Sequence, residues 1–154
     1  MHHRLRATLS ATATAIALSV SLPANAQVLP KLVQDDDLAT LTRKVTQITQ
    51  IAAKQSAQDY EDLGILAMER KVQACIASAA KNPARSIYCV QYDSFATSFD
   101  HSVPPPLRRP FFADATVIRR QAATMAASFT PSSSEALGPM LTSIFVAQRD
   151  ASAP

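Results

Sequence analysis

Only two glycines, Gly64 and Gly138, occur in this chain of 154 residues. Tight β-hairpins draw on Gly, Asn-Gly and Asp-Gly, because their turns need backbone with positive φ. A sandwich or barrel would need more such turns than this chain supplies. With 47% hydrophobic and 18% charged residues, the chain is also too apolar to stay disordered. The expectation is therefore an all-α protein, a single small bundle of four to five helices. The same scarcity of glycine excludes a P-loop and a dinucleotide-binding fingerprint, in which glycines let the backbone approach a phosphate.

The first 26 residues read as a cleavable signal peptide. MHHRLR supplies a positive start, Ala7 to Leu22 is apolar with small polar interruptions, and Ala24-Asn25-Ala26 matches an A-x-A cleavage site before Gln27. The apolar stretch is short, broken by threonines and serines and followed by Pro23, so no membrane span is expected. The expected localisation is the periplasm, with secretion as the alternative. Two of the fifteen basic residues, Arg4 and Arg6, lie in the signal and all twelve acidic ones lie beyond it, so the remainder stands one charge above neutral. A near-neutral protein in that compartment is a poor nucleic-acid binder.

Beyond the signal, residues 27–34 read as an extended lead-in, 35–150 as the helical domain and 151–154 as a frayed tail. Asp35, Asp36 and Asp37 favour a helix start through the positive end of the helix dipole. Leu38, Leu41, Val45, Ile48 and Ala52 follow at helical spacing. Ser56 to Asp59 resembles a capping box opening a second helix, with Leu63, Leu66, Met68, Val72 and Ile76 apolar and Asp59, Glu61, Asp62 and Glu69 mostly solvated. One continuous rod from Leu38 to Ala80 is the alternative, since Gly64 weakens a helix by about 1 kcal/mol without forcing a break. Asn82-Pro83 has the chemistry of a helix start, and Tyr88, Tyr92, Phe95 and Phe99 then form an aromatic stripe, read as a core seam or as a recognition ridge. The prolines between His101 and Pro110 end that helix. A further helix is expected over 111–129, with Phe112, Ala115, Ile118, Ala122, Met125 and Phe129 inward, and a last one from Pro139 to Arg149.

Asn82 lies seven residues from both Cys75 and Cys89. In an antiparallel hairpin, positions equally far from the bend meet at the same height, so the thiols can form a structural disulfide in an oxidising compartment. A redox or metal-binding pair would favour C-x-x-C spacing or neighbouring histidines, and neither is present. The stretch from Cys75 through Cys89 to Tyr92 resembles the disulfide hairpin of the Rap/Tai-type periplasmic immunity proteins, which neutralise cell-wall amidase toxins of type VI secretion. The resemblance implies structural roles for Cys75 and Cys89 and retention of Tyr92; Gln91 stands where that family has a glycine.

Catalytic chemistry finds little support. Once the signal is removed His101 is the only histidine, which leaves no histidine-rich metal site. Ser78-Ala79-Ala80-Lys81 matches S-x-x-K but lacks the companion motifs, and a triad of His101 with Asp93 or Asp100 has no nucleophile elbow beside it. Asp62 and Glu69 share a helix face, where a solvated surface is the simplest account. No enzyme, cofactor or metal is therefore expected. Arg108-Arg109 and Arg119-Arg120 flank one helix start, and arginine forks suit carboxylates and phosphates. The expected function is binding to another envelope protein, as an immunity-type inhibitor of a cell-wall-degrading effector, through Tyr88, Tyr92, Phe95, Arg108, Arg109, Arg119 and Arg120. The alternatives are an accessory subunit of an envelope or secretion assembly and a small-ligand binder; self-association into a homo-oligomer is compatible with each.

Overall fold

The computed structural model describes residues 28–33 and 36–129. Within them the chain forms three α-helices and no strand: α1 (Leu38–Ala79), α2 (Pro83–His101) and α3 (Asp114–Ala126), with 3₁₀ turns at Pro105–Leu107 and Pro110–Phe112 between α2 and α3. The signal expected over residues 1–26, the helix expected at 139–149 and the tail lie outside the described residues. No helix among the described residues is long and apolar enough to cross a membrane.

α1 starts where the aspartates suggest. Asp37 is the N-cap, its carboxylate accepting from the Thr40 N–H at 2.7 Å. Asp36 accepts from the Val33 N–H and from Lys44. These bonds hold both carboxyls below the ordinary aspartate range: for Asp36 the Lys44 bond acts most strongly, for Asp37 the Thr40 N–H.

The sequence reading places a break near Ser56, but the helix runs through it. Ser56 bonds back to the Ala53 carbonyl and is fully buried, a placement open to a serine because its hydroxyl finds a partner within its own helix. The break comes at Gly64, with φ 72° and ψ 175° inside an otherwise helical run. That conformation is open essentially to glycine alone. Its effect is large. Asp59 and Lys71, twelve residues apart, would lie about 18 Å from each other along a straight helix, yet Lys71 Nζ is 2.5 Å from Asp59 Oδ1. Val45, Ile48 and Ala52 from the first arm therefore share one core with Met68, Val72, Cys75 and Ala79 from the second.

The second reversal follows Ala79. Lys81 adopts left-handed backbone, φ 63°, in the position after a helix end where glycine is usual. The Asn82 side chain caps α2 by accepting from the Arg85 N–H at 3.0 Å, and Pro83 takes the first helical position. The disulfide joins Cys75 to Cys89 with Cα atoms 5.5 Å apart. α2 adds Ile87, Tyr88, Cys89, Tyr92 and Ala96 to the core, and the Tyr60 and Phe99 rings stack at 4.5 Å between the first arm and α2.

α3 differs from the expectation in length and in which face it buries. Phe111 and Phe112 belong to the preceding 3₁₀ turn, where Phe112 is fully buried. Val117 and Thr124 are buried, whereas Ile118 is 67% exposed and Ala115 and Ala122 also face solvent. Arg120 and Gln121 both bond to Asp93 of α2, which turns the 117, 120, 121 and 124 face inward. The anticipated count of four to five helices becomes three because two arms share α1 and the last expected helix is not among the described residues.

Candidate functional site

The distinctive chemistry of this core lies in carboxylates at helical positions that hydrophobic patterning assigns to solvent or leaves unassigned. Asp59, expected to be wet, is 4% exposed. It accepts from Tyr92 Oη at 2.8 Å, from Lys71 Nζ and from Gln55 Nε2 at 2.9 Å, which ties both arms of α1 to α2. Burial pushes the Tyr92 phenol well above its ordinary pKa, and the bond to the Asp59 carboxylate adds to the shift, because ionised Tyr92 would set two negative charges face to face.

Asp93 is fully buried in α2. Arg120 reaches it with a two-pronged contact, Nη2 to Oδ1 at 2.6 Å and Nε to Oδ2 at 3.1 Å. The same guanidinium lies 3.9 Å from the centre of the Phe111 ring and donates to the Phe111 carbonyl. Burial raises the Asp93 carboxyl above the usual range, and Arg120 and Gln121 pull part of that shift back. Asp100, 2% exposed, accepts the Arg109 backbone N–H at 3.0 Å and so anchors the proline-rich connection. Glu69 pairs with Arg109 Nε at 2.6 Å.

The residues nominated for partner binding are thereby distributed differently from a single recognition face. Tyr88 and Tyr92 are 6% and 2% exposed, so they form the core seam and have little surface to offer. Burial raises Tyr88 to about 12, opposed by Arg85, whose guanidinium lies over its ring. Phe95 is half-buried against the same core. Arg108 donates to the Val103 and His101 carbonyls and closes the C-terminal end of α2. Arg109 and Arg120 are committed to Glu69 and Asp93. Arg108 and Arg119 are both exposed and without an ion pair among the described residues, and of the two only Arg119 also has no hydrogen bond from its guanidinium to them.

Sequence reasoning missed Asp59, Lys71 and Asp100 as fold-forming residues, and considered Asp93 only as a triad member. One signal was available: Asp93 and Asp100 are seven apart, two turns of one face, inside an aromatic helix. His101, the other triad candidate, is half-buried with Nε2 3.1 Å from the Phe112 carbonyl oxygen and 3.8 Å from Asp114. Among the described residues no group of three or more His, Cys, Asp or Glu side chains is placed to hold a metal ion.

A cleft of about 470 Å³ lies between the lead-in and the start of α2, lined by Leu29, Leu32, Lys31, Lys81 and Arg85 among others. A smaller one of about 250 Å³ runs between the end of α1 and α3, lined by Ile76, Ala79, Ala123 and Ala127. Comparison with known proteins finds no matching family model, no matching curated protein and no matching solved structure.

Proposed function

We propose that this is an exported, non-catalytic binding protein of the bacterial envelope that engages another protein, in the manner of the immunity proteins its cysteine hairpin resembles. The observation that carries this reading is the outward face of α3. Ile118 is 67% exposed, next to Arg119, while Arg108, Arg109 and Arg120 are bonded within the chain. An aliphatic side chain beside a guanidinium that has no partner among the described residues fits an apolar depression with a carboxylate at its rim, a common pattern for an anchor with a polar border. The remaining polar chemistry stabilises the scaffold, which suits a protein that displays a surface.

The experiment is capture from a periplasmic extract with the oxidised chain, repeated with Ile118→Asp and Arg119→Glu. Loss of the same stoichiometric protein with both variants, at unchanged helix content, supports the reading. Equal capture by wild type and variants places the contact elsewhere and rejects it. A second reading, an accessory subunit docked through the start of α1, rests on Leu38, 59% exposed, and Val33, 48% exposed. Leu38→Asp tests it better than removing residues 35–56, because Val45, Ile48 and Ala52 in that stretch belong to the core.

A further inference from the structure

We propose that Gly64 is a one-residue hinge through which two copies of this chain exchange their first arms, residues 38–63, and pair as a dimer. Every residue of α1 except Gly64 is helical, so rotation at one residue turns the folded-back helix into a continuous rod. The open arm would expose Val45, Ile48 and Ala52, together with Asp59 and its three donors. The surface that satisfies all of these at once is the one they already use, Met68, Val72 and Tyr92, presented by a second copy. Very short connections are known to invite this exchange, because the closed monomer carries the strained residue and the exchanged dimer does not.

A second observation points to the same occupant. Leu63 and Leu66, 51% and 55% exposed, flank the hinge. In a continuous helix residues three apart share a face. Two antiparallel rods crossing at residue 64 would bring that pair against its own copy across a two-fold axis, which removes both leucines from water. The inference does not rest on the partner proposed above, since it concerns Gly64 and the first arm of α1 rather than the Ile118 face of α3, and uses a different assay.

The test replaces Gly64. A Cβ at this position would have nothing within 4 Å, so Gly64→Ala meets no steric clash in the monomer and acts through its backbone preference alone. Alanine disfavours the turn and favours the helix, and the change counts twice per dimer. The expected result, by light scattering on a sizing column, is a dimer association constant raised by about a hundredfold or more. Zero-length carbodiimide coupling then joins the Asp59 carboxylate to the Lys71 amine with loss of water. Light and ¹⁵N-labelled chains, unfolded and refolded together, yield a mixed-isotope Asp59–Lys71 peptide if arms are exchanged. A Gly64→Ala monomer with only same-chain coupling overturns the proposal, as does a dimer whose coupling stays within each chain. If Gly64→Ala precipitates, the wild-type chain refolded over a range of concentrations decides: mixed-isotope coupling that grows with concentration supports exchange, and its absence at every concentration rejects it.

Discussion

The chain reverses direction at Gly64 and again between Ala79 and Pro83, and the two turns are held in opposite ways. The second carries its instructions locally. Asn82 caps, Pro83 sets the first helical φ, and the Cys75–Cys89 bond ties the flanking helices together. The first carries almost none. A single glycine permits the turn, and what keeps it closed comes from elsewhere: Lys71, Gln55 and Tyr92 converging on Asp59, and Tyr60 stacked on Phe99. A locally encoded turn survives the loss of its surroundings, whereas a tertiary turn exists only while the surroundings hold.

The largest expected effect tests the tertiary turn. Asp59→Ala leaves three donors facing an emptied site and is expected to destabilise the fold by about 3–4 kcal/mol, measured by urea unfolding. The figure sits toward the lower end for a broken buried pair because the Lys71 side chain keeps 28% of its exposure. A cost under about 1 kcal/mol would mean that packing alone closes the arm. Removing the staple with Cys75→Ala and Cys89→Ala should cost about 3 kcal/mol for a loop of this size, with the helix content of the folded state preserved in circular dichroism, since Asn82 and Pro83 still specify the turn. Asn82→Ala is smaller, about 1 kcal/mol, and should grow in the chain lacking the disulfide if cap and staple support the same turn.

The smallest effect near neutral pH comes from the tyrosines, and it becomes visible only in alkali. Tyr88 sits on the stapled side and rises from 10 to about 12 through burial, and Tyr92, on the Asp59 side, rises further. A folded pKa above the unfolded one contributes stability that is fully present below pH 10 and is lost as pH climbs through the folded value. The unfolding free energy should therefore fall between pH 10 and 12, with phenolate absorbance from Tyr88 delayed over the same interval. Tyr92→Phe should flatten the part of that decline owed to the Asp59 side; an unchanged slope would detach Tyr92 from the closure of the first turn.

The same division explains how much was readable beforehand. The disulfide hairpin was legible because its cap, proline and symmetric cysteines lie within fifteen residues. The core positions Val45, Ile48, Ala52, Met68 and Val72 were legible from helical spacing. The break at Gly64 was not, since a lone glycine costs a helix little and only the far-side contacts of Asp59 make reversal worthwhile. Leu63 and Leu66 stand among the apolar positions expected of the second helix, although at five and two residues from Met68 they fall on a different side of a straight helix, and both are exposed beside the break. On the candidate site, the arginines were recognised as pairing groups, but their partners Glu69 and Asp93 lie 40 and 27 residues away. No local pattern registers such pairings. Of the face expected to point inward over 111–129, Phe112, Met125 and Phe129 do pack on the core, while Ala115, Ile118 and Ala122 face solvent because the bonds of Arg120 and Gln121 to the buried Asp93 rotate α3.

The staple also determines how the chain would respond to tension. Pulled from its two ends, the protein transmits load through the Cys75–Cys89 bond, and the residues between them never bear it. The fully drawn-out chain would be shorter by roughly 45 Å than its residue count implies. The first arm of α1 and all of α3 lie outside that closed loop, so force peels them away while the turn at Asn82 stays intact. Under load, the weak point is the side of the molecule fastened by Asp59.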